Sequence, residues 1–281
     1  MLKNPIGVFD SGIGGLTVFK EIVRLLPDED VVYFGDTARM PYGGKSMEIV
    51  ELYTKQGIAF LKSCGAKLIV TACGTVSTVL LKNRIYFDEE ESQVELLGIV
   101  EPSCRAAVAK AWNGKIGVIG TTVAIESGKY EDVIGSINPN IEVFKAACPL
   151  LAPLIESRFS DENDETFYRV SASYIEPLLK HGISVLILGC THYPIIKNII
   201  SEIAPNLVLI DSGFETAFAL QQKILDSGYI SKTSHGNYEF FVSDIPEHFI
   251  KNSELFLGTK INGKVRRVDV TKVLEYDFKK F

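Results

Sequence analysis

LIVTACGT, residues 68–75, and VLILGCTHYP, residues 185–194, decide how this chain is read. Each starts as a short apolar run rich in Val, Ile and Leu, and each reaches a cysteine followed by a threonine. Runs of this kind fit strands buried on both faces of a parallel sheet, here leading into a turn that opens a helix. Open α/β sheets bind ligands outside the carboxyl ends of their strands. Cys73 and Cys190, 117 positions apart, therefore both stand where such a sheet does its chemistry. Two thiols in matching places suggest a reaction that needs paired acid/base groups.

Outward from these stretches, strand-like and helical runs alternate. Strands are predicted at 6–10, 31–35, 67–71, 97–99, 115–120, 142–146, 184–188 and 207–211. Between them, Leu16, Phe19, Ile22, Val23 and Leu26 share one helical face, and further helices are predicted at 46–64, from 75, and at 101–112, 127–137 and 213–227. This alternation is the signature of an α/β fold, parallel sheets covered by helices on both faces. Two domains are expected rather than one sheet, with the two cysteine strands in similar halves that face each other. The acidic stretch 88–93 is read as a surface loop shortly before a boundary near Ile99. The tail is read as strands at 238–243 and 265–270 around a helix near 247–256, serving packing rather than chemistry.

The 281 residues suffice for two domains with proper cores, and 46% hydrophobic with 23% charged residues is ordinary for a soluble globular protein. The start of the chain lacks the pattern of a signal peptide, and no apolar run approaches a membrane span. Five cysteines, an odd count without close-set pairs, argue for reduced thiols and a cytoplasmic setting. A net charge of −6 offers no basic field for nucleic acid, so any anion site must be built locally.

GVFDSGIGGLTV, residues 7–18, reads as a strand, a glycine turn and a helix start, whose N–H groups suit an anion. It lacks the third glycine of a dinucleotide fingerprint and the lysine of a phosphate loop. Asp10 at its strand end either holds a substrate ammonium or acts as an acid/base, or it simply caps the turn. GDTARMPYGGKS, residues 35–46, places Pro41, Tyr42 and Gly43 in a tight loop, with an ordinary turn as the plain alternative. Thr121 and Thr122 open a helix in the second half and could also bond a carboxylate. Cys64, Cys104 and Cys148 are read as small buried hydrophobes. At Cys73 and Cys190 a helix N-terminus could lower the thiol pKa. As an imidazolium, His192 would stabilise a Cys190 thiolate, whereas a nearby anionic Asp10 would keep Cys73 neutral. A zinc site from Cys73, Cys190 and His192 lacks the close Cys pair, and Cys190 with His192 is too close in sequence for an ordinary Cys–His hydrolase.

GVFDSGIGGLTV, GDTARMPYG, TACGT, IVEPS, GVIGT, ACPLLAPLIE, LGCTHYP and IDSGFETA together, in order and across nearly the whole chain, resemble the glutamate racemases of the aspartate/glutamate racemase superfamily. The resemblance implies two doubly wound parallel-sheet domains of related topology, with the active site in the cleft between them. It implies one domain from 1–99 with 210–281, and the other inserted as 100–209. It further implies interconversion of L- and D-glutamate by Cys190 and Cys73 on opposite faces of Cα, without cofactor or metal, in a cytoplasmic homodimer that supplies peptidoglycan synthesis. Asp10, His192 and Glu156 would be the auxiliary acid/base groups. Ser11, Pro41, Tyr42, Gly43, Gly74, Thr75, Thr121 and Thr191 would surround the substrate. Two positions depart from the family: Gly74 where it commonly has Asn, and Ala124 where it commonly has Thr. A racemase of another acidic amino acid such as aspartate, and a catalytically inactive binding relative, are the alternatives. Asn in place of Gly74 is expected to lower KM by restoring a carboxylate donor.

Overall fold

The computed structural model describes residues 2, 4–83, 94–157, 165–227 and 235–271, so the acidic stretch 88–93 lies outside the described residues. The chain runs through β1 (Ile6–Asp10), α1 (Leu16–Leu25), β2 (Val31–Gly35), α2 (Met47–Ser63), β3 (Leu68–Thr71), α3 (Gly74–Asn83) and β4 (Glu95–Gly98). It continues through α4 (Val100–Lys110), β5 (Lys115–Gly120), α5 (Thr122–Glu126), α6 (Lys129–Ile137), β6 (Glu142–Ala147), α7 (Leu151–Glu156) and α8 (Glu165–Leu179). Then come β7 (Val185–Leu188), a 3-10 turn (Tyr193–Ile196), α9 (Lys197–Ile203), β8 (Val208–Asp211), α10 (Ser212–Ser227), β9 (Tyr238–Val242), α11 (Pro246–Leu257) and β10 (Lys264–Arg267).

The strands of the described residues form two sheets, ordered β10-β9-β2-β1-β3-β4 and β6-β5-β7-β8, and every pairing is parallel. The order β2-β1-β3-β4 in the first sheet is repeated as β6-β5-β7-β8 in the second. That equivalence pairs β1 with β5 and β3 with β7, so the two cysteine strands are topological counterparts. The fold is thus two α/β domains of related topology, the first extended by β9 and β10 at its β2 edge.

Side chains alternate along each buried strand and separate into cores on opposite faces. Ile6 and Val8 of β1 and Val31 and Tyr33 of β2 pack with α1, α10 and α11. Phe9, Val32 and Phe34 point the other way, toward α2 and α3. In the second sheet Val185 and Ile187 face α4 and α6, while Leu186 and Leu188 face α7, α8 and α9. Both sheets are therefore wound on both faces, as the apolar runs predicted.

Local chemistry sets the ends of several helices. Ser46 caps α2 by accepting from Ile49 N, and Thr121 caps α5 by accepting from Ala124 N. Pro246 opens α11, and Gly258 closes it in the left-handed region at φ 73°. α7 and α8 escaped the reading of the sequence, and α9 starts only at Lys197, later than the helix expected directly after the Cys190 turn. α7 has only six residues, and α8 carries Pro177 near its end, where proline reads as a helix boundary. β8 also carries the second sheet through Asp211, past the boundary expected after residue 209.

Phe34 is fully buried, stacked on Phe9 at 5.7 Å between ring centroids and tilted against Phe60 at 5.2 Å. Phe34→Ala is expected to cost about 3–5 kcal/mol of stability. Urea unfolding measures it, and a loss below about 1 kcal/mol would show that this layer is not close-packed.

Candidate active site

In both sheets the connection after the first strand (β1 or β5) crosses one face and the next connection crosses the other. A crevice opens where the winding reverses, outside the ends of β1 and β3 and of β5 and β7. The turns at those four ends carry Asp10 and Ser11, Cys73, Thr121, and Cys190 with Thr191 and His192. One cavity between the two halves is lined by these seven with Pro41, Tyr42, Gly43, Gly74, Thr75 and Glu156, whereas Thr122 and Ala124 do not line it. Gly12, Ile13, Met40, Ala152 and Gly189 line it too and escaped sequence reasoning. Small apolar residues carry no chemical signal, although Ala152 lies one helical turn before Glu156.

The halves meet through specific bonds around this cavity. Thr17 Oγ1 donates to the Thr191 carbonyl at 2.8 Å, and the hydroxyls of Thr75 and Thr121 meet at 2.8 Å. Val123 N donates to the Gly43 carbonyl at 3.4 Å. The loop 36–43 is braced by buried Asp36, which accepts from Arg39 Nε at 2.6 Å, from Ser243 Oγ at 2.7 Å and from the Tyr42 hydroxyl. That bond commits the Tyr42 hydroxyl to Asp36, so the loop offers the cavity the Tyr42 ring and the Gly43 backbone.

Asp10 fills the turn-capping role weighed for it. Its Oδ1 caps the turn by accepting from Gly12 N at 2.9 Å, while buried Oδ2 has no hydrogen-bond partner among the described residues. Burial raises the carboxyl pKa, opposed by the charge of His192. An unpaired buried carboxylate oxygen is costly unless a donor arrives.

The two thiols differ. Burial pushes Cys73 up to about 12, and the negative charge of Asp10 adds to it. The helix N-terminus expected to lower this thiol is outweighed, because the sulfur is desolvated and faces a carboxylate. The Cys190 sulfur lies 3.7 Å from His192 Nδ1, and His192 Nε2 meets Glu156 Oε1 at 2.8 Å. Burial alone would lower His192, yet its hydrogen bonds to Cys190 and Glu156, with their negative charges, raise it to about 10. At neutral pH an imidazolium thus stands between the Cys190 sulfur and the Glu156 carboxylate.

The tail does more than pack against the sheet. Phe256 of α11 meets the His192 ring edge-on at 5.2 Å, and α11 with Glu156 lines a second cavity of about 160 Å³. Among the described residues no three His, Cys, Asp or Glu side chains are placed to hold a metal ion. No helix among them is long and apolar enough to cross a membrane.

Residues 6–217 match the Asp/Glu/Hydantoin racemase family. The chain belongs to that family. The glutamate racemase of Geobacter metallireducens is 42% identical over 267 residues, spanning 94% of this chain and 96% of its own. That of Thermoanaerobacter pseudethanolicus is 39% identical over 273 residues, spanning 97% and 100%. Among solved structures, glutamate racemase RacE1 of Bacillus anthracis superposes with a TM-score of 0.88 at 35% identity, covering 95% of this chain and 97% of that one. Glutamate racemase of Francisella tularensis in complex with D-glutamate gives 0.88 at 34% identity, covering 96% and 100%. Within this Asp/Glu/Hydantoin racemase chain, the unlike surroundings of the thiols are set by Asp10 on one side and His192–Glu156 on the other.

The His192 pairing stabilises the fold fully below pH 6.5, and its contribution is lost as pH rises through about 10. NMR titration of the imidazole is expected to show it protonated at pH 8, with Glu156→Gln moving its pKa toward 6.5. A midpoint near 6.5 in the unsubstituted protein would contradict the pairing.

Proposed function

We propose that the chain is a glutamate racemase that interconverts L- and D-glutamate with two thiols and no cofactor, and that it supplies D-glutamate for peptidoglycan. The observation that carries this reading is that Cys73 and Cys190 end counterpart strands, line one cavity and carry opposite electrostatics. The Cys190 thiolate, held beside the His192 imidazolium, takes the α-proton of L-glutamate. The Cys73 thiol delivers its proton to the opposite face, leaving Cys73 as thiolate and Cys190 as thiol. In the D-to-L direction the same transfers run backwards. Exchange of the thiol protons with solvent resets the pair.

The α-proton beside a carboxylate is very weakly acidic, so donors aimed at that carboxylate supply much of the rate. Ser11, Thr75, Thr121 and Thr191 and the Gly43 N–H surround the cavity as such donors. The unpartnered Asp10 Oδ2 takes the substrate ammonium, which satisfies its missing hydrogen bond. Glu156 holds His192 in place and keeps it charged. The reading keeps the division expected near residues 99 and 210, with β8 carrying the inserted unit through Asp211, in a cytoplasmic homodimer. The return of β9 and β10 to the first sheet supports the inserted arrangement.

Chiral chromatography of glutamate and of aspartate tests the substrate, and no turnover of either glutamate enantiomer would refute the proposal. Cys73→Ala and Cys190→Ala are each expected to abolish racemisation while keeping slow solvent-deuterium exchange at Cα of one enantiomer only. Racemisation at the parent rate in either variant rules out the two-thiol route.

A further inference from the structure

We propose that Gly74 is a positioning residue that sets the distance between the two thiols. It directly follows Cys73, and Gly189 directly precedes Cys190, and the backbones of these two glycines approach each other at the seam beside the cavity. A Cβ built on Gly74 would overlap the carbonyl oxygen of Gly189. At the other glycines of this seam a Cβ would first meet a side chain: His192 and Thr191 at Gly14, Thr121 at Gly43. Side chains can rotate away, but a backbone carbonyl moves only with its strand.

Both backbones are fixed. Gly189 N donates to the Ile119 carbonyl at 2.8 Å, and the Tyr130 hydroxyl donates to the Gly189 carbonyl at 3.4 Å. On the other side, the Cys73 carbonyl accepts from Ser77 N at 2.9 Å and from Ser77 Oγ at 3.0 Å. A side chain at 74 therefore acts by pushing the halves apart. The next residue, Thr75, bonds Thr121 across the same seam at 2.8 Å and would be stretched with it. A two-base inversion needs both sulfurs against one carbon at once, so such a displacement separates proton removal from proton delivery. The earlier expectation for Gly74→Asn is reversed, because the steric contact comes before any new donor.

The inference rests on the racemase reading above, and the parent enzyme keeps the two apart: a parent without racemisation refutes that reading, whereas the variants test Gly74. For Gly74→Ala, kcat for racemisation is expected to fall about tenfold to a hundredfold, as for a misplacement near 1 Å, with KM little changed. The ratio of α-deuterium exchange with retention to racemisation should rise, because one thiol still reaches Cα. Helix propensity at the start of α3 favours alanine while the stretched Thr75–Thr121 bond opposes it, so the melting temperature should change little. Gly74→Asn should lose at least as much kcat. Gly135→Ala, in α6 with open space around its Cβ, should match the parent. A parent-like kcat in Gly74→Ala, a lowered kcat with an unchanged exchange ratio, or a lowered KM with retained kcat in Gly74→Asn would each overturn the proposal.

Discussion

Parallel pairing of β1 with β3, and of β5 with β7, forces the connecting helices to opposite faces and leaves a gap at the strand ends. The rest of the molecule is arranged around those two gaps. Each contributes a polar turn and a cysteine, and the halves close so that the gaps share one cavity. Hydrogen bonds between Thr17 and Thr191 and between Thr75 and Thr121 hold that closure across the seam. Because the strand orders correspond, a near-symmetric scaffold places two cysteines toward one cavity.

The scaffold is symmetric and the electrostatics are not. Desolvation alone would treat two buried thiols alike. The difference comes from one neighbour on each side: the Asp10 carboxylate near Cys73 and the His192 imidazolium beside Cys190. Glu156, one helix away, keeps that imidazolium charged against the penalty of burial. A carboxylate with one oxygen unpaired, a thiol near a carboxylate and a thiol beside an imidazolium therefore sit together in a chain whose net charge of −6 would not itself attract an acidic ligand.

Much of this was legible along the chain because parallel-sheet strands are apolar and end abruptly at functional turns. The runs before Cys73 and Cys190, the glycine turn after Asp10 and the Thr121 cap all read directly. α7 and α8 did not, since α7 has only six residues and Pro177 reads as a helix boundary. Phe256 was read as packing, and its contact with His192 could not be seen because the two lie 64 positions apart. The helix N-terminus at Cys73 pointed toward a lowered pKa, and only its depth of burial shows the opposite.

The sequence by itself determined the fold class and the two cysteine turns, because local periodicity and turn chemistry encode strand ends, and its family resemblance pointed to the polar side chains that line the cavity. Tertiary structure alone decided which charges the thiols face, how the Tyr42 hydroxyl is committed and how closely the halves approach. Those depend on desolvation and on contacts between distant segments. Gly74 shows the division most clearly. In the sequence it is a missing side-chain donor, and in the folded protein it is the gap through which the backbone before Cys190 comes close.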